Sequence, residues 1–169
     1  MTILLRHPRS TFALIALICA CFIGYALYLQ HYEFQDPCPL CLVQRGFYLI
    51  IMIVGAAAAA HGRGFNTYGW LAALAALGGA GTAGRQVWLQ HLPKDQVPQC
   101  GPDLYYMMDN FPFAKMLGLL FQGSGQCAEV TWRFLGLSIA EWSLLWFVLF
   151  LITAIALALR GKHRLTSTA

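Results

Sequence analysis

The chain is 169 residues long, 59% hydrophobic and 11% charged, with a formal net charge of +4. Soluble domains carry about a quarter charged residues, so this composition excludes an ordinary water-soluble globule. The basic residues flank apolar runs and form no tract interleaved with aromatics, so the charge speaks of membrane topology rather than of nucleic acid.

Arg6, His7 and Arg9 precede the first apolar run, Thr11 to Gln30, which holds no charged residue. About 20 apolar residues cross a bilayer core of roughly 30 Å. This run is too long for the h-region of a signal peptide, and no A-x-A-like site follows it. It reads as a retained signal anchor and a first span at about 11–30, followed by a short outer loop at about 31–41. The second run, Gly46 to Ala60, reaches spanning length only from near Leu42, giving a span at about 42–60 that takes Arg45 into the membrane's edge. A hairpin, Ala60 to Thr67, leads to the third run, about 68–90, whose one charged residue is Arg85. Gly78, Gly81 and Gly84 are three apart there, a shallow strip suited to close helix packing or to a flat ligand.

A loop of about 91–141 comes next, long enough to need structure or a task of its own. Two prolines in Val97-Pro98-Gln99-Cys100-Gly101-Pro102 favour an extended backbone that suits a partner's groove, or else form an ordinary turn. Asn110 can cap a helix with Pro112 in its first turn. Phe113, Met116, Leu117, Leu120 and Phe121 then make one apolar stripe, ended by Gly123-Ser124-Gly125. It reads as a short helix on the membrane surface, or as a stripe packed on the outer loop. The last run, Trp142 to Leu159, gives a span at about 142–159. The expected fold is an all-α membrane protein: one four-transmembrane-helix bundle over 1–169, with a long outer loop carrying a short membrane-surface helix.

Charge orients it. With four spans, both termini and the Ala60–Thr67 hairpin share one side, which carries Arg6, Arg9, Arg63, Arg160, Lys162 and Arg164 and no acid. The seven acids, Glu33, Asp36, Asp95, Asp103, Asp109, Glu129 and Glu141, fall on the other. Basic residues stay cytoplasmic, so both termini are expected in the cytoplasm and the two acidic loops outside.

Six cysteines sort by position. Cys19 and Cys21 lie inside the first span and read as packing, since two residues apart they point to different faces and cannot bridge within a helix. Cys38 and Cys41 lie in the first outer loop, Cys100 and Cys127 in the second. Three readings compete for these four: two structural disulfides, a four-thiolate metal site, or a redox relay. Zinc thiolates usually come as two close pairs, whereas Cys100 and Cys127 are 27 residues apart. No histidine follows the CxxC, as haem attachment would need. A disulfide closing so short a loop as Cys-x-x-Cys gains little chain entropy, so as a staple it is poor. As a redox pair it is well placed. Pro39 suits the first helical position, putting Cys41 in a first turn whose free amides and dipole favour an anion. Arg45, at i+4 on the same face, adds positive charge, and both effects raise the thiolate fraction. Arg45 and Arg85 each fall roughly 5 to 8 Å below the outer surface, where two guanidiniums beside a thiol pair suit a carbonyl-bearing, lipid-soluble electron acceptor.

This constellation resembles the DsbB family, the disulfide bond formation proteins of the bacterial inner membrane. The resemblance covers essentially the whole chain and rests on four spans, "CPLCLVQR", "RQVWLQ" (Arg85 to Gln90) and the "C…W.FLGL" stretch from Cys127 through Trp132 to Leu137. It implies an enzyme that re-oxidises a periplasmic DsbA-like thioredoxin-fold protein and passes the electrons to membrane quinone, ubiquinone or menaquinone. By motif, Cys100 would be attacked by the reduced partner, with Cys127 its mate in the loop disulfide. Cys38 and Cys41 would receive the electrons, Cys41 facing the quinone beside Arg45. Gln86 stands where some members carry a histidine next to the quinone, and it cannot supply a cation. DsbA-type oxidases are known to lie near about −120 mV, so a stronger terminal acceptor than a dithiol is required. Two other readings are a vitamin K epoxide reductase-like enzyme and a membrane scaffold with two static disulfides.

Overall fold

The computed structural model describes residues 7–32, 37–93, 96–97, 110–112, 115, 118, 125–130 and 133–166, the side chains of the last helix as far as residue 160. Four long helices dominate them: α1 (Pro8–Tyr32), α2 (Pro39–His61), α3 (Phe65–Gln90) and α4 (Ile139–Thr166). Each contains one of the expected apolar runs and extends about three residues or more beyond it at one or both ends. A helix does not stop where the hydrocarbon stops, because its backbone bonds are as good in water as in lipid.

Local chemistry sets the ends. Pro39 sits in the first turn of α2, and Cys38 caps it by accepting the Cys41 N–H on its sulfur at 3.3 Å. Gly62 ends α2 in the left-handed region at φ 64°, returning its N–H to Ala58 O at 3.1 Å. Gly64, at φ 71°, turns the chain directly into α3. Ser138 and Glu141 form a reciprocal box at the start of α4: Ser138 N–H donates to Glu141 Oε2 at 2.6 Å and Glu141 N–H to Ser138 Oγ at 3.3 Å.

Just before that box lies an element that the helical expectation did not contain. Arg133–Phe134 and Leu137–Ser138 pair as a two-residue antiparallel hairpin, Arg133 opposite Ser138. Its turn residues, Leu135 at φ 52° and Gly136 at φ 84°, are both left-handed, as a type I′ turn demands.

Helices α1 and α2, α2 and α3, and α3 and α4 pack side by side. Close crossings are made by glycines, though not by the expected strip. A Cβ on Gly55 would stand 2.9 Å from Phe12 O, on Gly69 2.8 Å from Ala158 Cβ, and on Gly78 2.6 Å from the Phe47 ring; Gly79 lies against Phe147. Gly81 and Gly84 have nothing within 4 Å, so the Gly78, Gly81 and Gly84 strip is corrected to Gly69, Gly78 and Gly79. At 100° per residue, a step of three drifts off a face within two steps. The true buried face of α3 alternates steps of three and four through Ala72, Ala76, Gly79, Ala83 and Gln86.

The interior combines Ile15, Cys19, Tyr48, Ile51, Ala76, Phe147 and Phe150, with the Tyr48 and Phe147 rings stacked at 4.2 Å. Cys19 is buried there and Cys21 is exposed, so the two do point to different faces. Outward stand large apolar residues: Leu17 is 62% exposed, Leu74 65% and Leu77 57%. Small residues on the buried face of α3 and leucines outside are the arrangement of helices surrounded by lipid. Among the described residues three helices, Pro8–Tyr32, Pro39–His61 and Ile139–Arg160, are long and apolar enough to cross a membrane. The chain is an all-α multi-pass membrane protein, apart from its small hairpin. Lys115 N–H bonds Pro112 O at 2.9 Å. The apolar stripe from Phe113 to Phe121 lies outside the described residues.

Candidate active site

The helix starts decide what meets at the outer end of the bundle. Cys38 and Cys41 project from the first turn of α2, and their sulfurs stand 2.8 Å apart as free thiols. The 3-10 turn Gly125–Cys127 brings Cys127, fully buried, into one small cluster with Cys38, Leu40 and Leu89, with Cys41, Leu92 and Ala128 packed on it. Three of the four outer cysteines are therefore neighbours, although 86 residues separate Cys41 from Cys127 in sequence. Cys100 lies outside the described residues. Hydrogen bonds to Cys127 and Cys41, together with burial, hold the Cys38 thiol well above its ordinary range.

Gln86 reaches the same place from α3. Its amide Nε2 donates to Cys41 Sγ at 3.3 Å and to Cys38 Sγ at 3.5 Å, while its Oε1 accepts from Gln44 Nε2 at 2.7 Å and, at a longer 3.7 Å, from the Cys41 thiol. Both glutamines are buried. Gln44 is the residue that sequence reading passed over. The available signal was a second polar side chain among the apolar positions following the CxxC, which in a bilayer must find a partner.

Arg45 lies one turn below Cys41. Its Nη1 donates to Gln30 Oε1 at 2.6 Å and its Nη2 to Ala26 O at 3.2 Å, fastening α2 to the end of α1. Arg85, expected beside it, is not among the residues lining the site; its guanidinium stacks over the Trp88 ring at 4.3 Å. Consecutive residues on a helix point about 100° apart, so Gln86 facing the sulfurs turns Arg85 away.

Beside the thiols opens a cavity of about 660 Å³. Phe22, Leu29, Trp142 and Trp146 supply apolar wall, while Cys38, Cys41, Gln44, Arg45 and Gln86 line its polar side. Ligand sites of small molecules fall in this range of about 300–1,000 Å³ and show this mixture of apolar wall and few polar groups. Thiols able to exchange partners, set against a cavity within a bundle belted by exposed leucines, are the equipment of a membrane thiol–disulfide oxidoreductase.

Known proteins agree with that class. The family model described as Disulfide bond formation protein DsbB matches residues 8–157. The chain is 46% identical over 159 residues to Disulfide bond formation protein B 1 of Pseudomonas aeruginosa, covering 92% of this chain and 98% of that one. Disulfide bond formation protein B of Azoarcus sp. is 41% identical over 150 residues (87% and 90% covered), and that of Hahella chejuensis 46% over 143 (83% and 87%). The chain belongs to the DsbB family, and its activity is that of a disulfide oxidoreductase, a membrane thiol oxidase.

Proposed function

We propose that this enzyme re-oxidises a DsbA-like thioredoxin-fold protein in the periplasm and delivers the electrons to a membrane quinone, ubiquinone or menaquinone, in the cavity beside Cys41. The observation that carries this reading is the gathering of Cys127 with the Cys38–Cys41 pair next to that cavity.

In the sequence we infer, a thiolate of the reduced partner attacks Cys100 in a Cys100–Cys127 disulfide and Cys127 leaves as thiolate. Cys127 then attacks Cys38 in the oxidised CxxC, and Cys41 leaves. Cys100 and the partner's second thiol complete the exchange, so the partner gains a disulfide and the CxxC holds two electrons and two protons. Close packing makes the middle step effectively intramolecular, where orientation alone is worth several orders of magnitude.

The cavity's chemistry fits a quinone. Trp142, Trp146 and Phe22 offer apolar faces for a flat ring. Arg45 has five N–H donors, two of which are used on α1, leaving others for a carbonyl oxygen. What a bound quinone supplies is acceptance of two electrons and two protons, as the quinol. For Arg85 the stack on Trp88 favours an interfacial anchoring role over quinone contact.

We further propose four crossings in one membrane domain, α3 being the fourth. Its 26 residues reach about 39 Å at 1.5 Å each, and Leu71, Leu74 and Leu77 face outward from it. Both termini then lie in the cytoplasm of a bacterial inner membrane, as the basic flanks favour. The test is to alkylate single-cysteine variants in intact cells with a membrane-impermeant maleimide. Cys41 and Cys127 variants should react only after denaturation or from the periplasmic side, and labelling confined to inverted vesicles would refute the orientation.

A further inference from the structure

The buried amides of Gln44 and Gln86 form a chain that ends on sulfur. Gln44 Nε2 donates to Gln86 Oε1 at 2.7 Å, and Gln86 Nε2 then faces Cys41 Sγ at 3.3 Å and Cys38 Sγ at 3.5 Å. A carboxamide has two ends of opposite character, donor and acceptor. Left alone, Gln86 can present either to the thiols. Its oxygen is held at 2.7 Å by the Gln44 donor and stands 3.7 Å from Cys41 Sγ, so its N–H groups, at 3.3 and 3.5 Å, are the end nearer the sulfurs. Both residues are only 4% exposed, so bulk water has little access to either end.

We infer that Gln44 is a positioning residue that holds the Gln86 amide as a hydrogen-bond donor to the thiolate formed on Cys41. The inference rests on the thiol-exchange reading above and assigns it one further part. When the Cys127 thiolate attacks Cys38 Sγ, a Cys127–Cys38 bond forms, the Cys38–Cys41 bond breaks, and the electron pair leaves on Cys41 Sγ. Negative charge therefore grows where the Gln86 N–H points. A preset donor aimed at developing charge in a water-poor site needs no reorganisation as the reaction proceeds. Gln86, which touches the reacting atom, is the catalytic member of the pair; Gln44 acts through it.

Other titratable and charged groups surround that sulfur. On α2 these are Cys38 and Arg45, with Tyr48 deeper in the cavity; Cys127 comes from the 3-10 turn, Glu129 lies beyond it, α1 presents Tyr25, and on α3 Arg85 stacks away on Trp88 while His91 bonds Val87 O. Glu141, on α4, lies in a separate small pocket with His91 and Arg133. Substituting Gln44 leaves all of these in place.

The test is the alkylation rate of Cys41 in the dithiothreitol-reduced full-length protein, read by mass spectrometry of the Cys41 peptide with iodoacetamide between pH 6 and 9.5. It uses neither quinone nor protein partner, so its outcome is independent of whether the proposed electron route is correct. Gln44→Leu should slow Cys41 alkylation about tenfold near pH 6.5, the worth of one hydrogen bond to a charged group, and should match wild type near pH 9.5, where the thiolate forms without help. Gln44→Glu, equal in size, should slow it at least as much, because a carboxylate accepts from Gln86 and turns its oxygen to the sulfur. Gln86→Leu should behave like Gln44→Leu, and adding Gln44→Leu to it should change nothing further. An unchanged rate in Gln44→Leu and Gln44→Glu, an equal slowing at both ends of the pH range, or additive effects of the two leucine substitutions would each overturn the inference.

Discussion

Replacing Arg45 with methionine separates the two halves of the proposed mechanism. The guanidinium makes two hydrogen bonds to α1, to Gln30 Oε1 at 2.6 Å and to Ala26 O at 3.2 Å, and its remaining donors border the cavity. Methionine keeps most of the apolar stem and removes every donor. A hydrogen bond from a charged donor is worth about 1.5–3 kcal/mol, and 1.4 kcal/mol is tenfold. One such bond to a quinone oxygen therefore predicts a quinone KM raised about 10- to 100-fold. The bonds to Gln30 and Ala26 add a smaller loss of stability, near 1 kcal/mol, because Arg45 is only partly buried. Steady-state quinone reduction with a short-chain quinone and reduced partner measures the first effect. A stopped-flow single turnover without quinone measures thiol exchange, which should slow less than quinone reduction, by about tenfold at most, since there Arg45 acts on the departing Cys41 only through its charge. An unchanged KM would refute the assignment of Arg45, and a collapse of the quinone-free turnover would show that it serves the thiols instead.

Gly79→Leu should destabilise the protein by about 1–3 kcal/mol, because a side chain there meets the Phe147 ring. Gly81→Ala, in open space, should stay within about 0.5 kcal/mol, and thermal melts in detergent distinguish the two. The raised Cys38 thiol sets a pH dependence for the reduced protein. Above the ordinary thiol value of 9.0 the unfolded chain releases the Cys38 proton while the folded chain keeps it, so the contribution of Cys38 to stability falls as pH rises beyond that point and is level below it, where the lowered Cys41 thiol acts in the opposite sense. Cys38→Ser should flatten that limb of the melting profile, and an unaltered slope would count against the assignment. Leu135→Asn should keep or slightly raise stability, since asparagine tolerates the left-handed φ of 52° that leucine occupies at a cost.

Much of the helical frame was legible because its signal is additive. Runs such as Thr11–Gln30 and Trp142–Leu159 need only be counted, and their helices, α1 and α4, contain them whole. The helix start at Pro39 was equally plain, since the proline and the capping sulfur act within three residues. Whatever depended on two distant segments was not. Composition and spacing do not say that Cys127 comes to Cys38, because four cysteines allow three pairings and the turn finds its place only in a cluster shared with Leu40 of α2 and Leu89 of α3. The same limit hid Gln44, whose meaning lies in a hydrogen bond to Gln86, 42 residues on. Arg85 looked equivalent to Arg45 by depth alone; depth fixes one coordinate of a helix residue and leaves its azimuth open, and azimuth put Arg85 over Trp88. The hairpin at Phe134–Leu137 escaped because its strands are two residues long, too short for any alternation to register.

Quinone absorbance is the most direct probe of whether these thiols empty into the cavity. Purified protein, reduced DsbA-like partner and ubiquinone are mixed and the quinone band is followed. One quinone should disappear for each partner dithiol oxidised, and Cys41→Ser should abolish the reaction. A wild-type enzyme that leaves the quinone band untouched, or a Cys41→Ser variant that still bleaches it, would contradict the role given to Cys41.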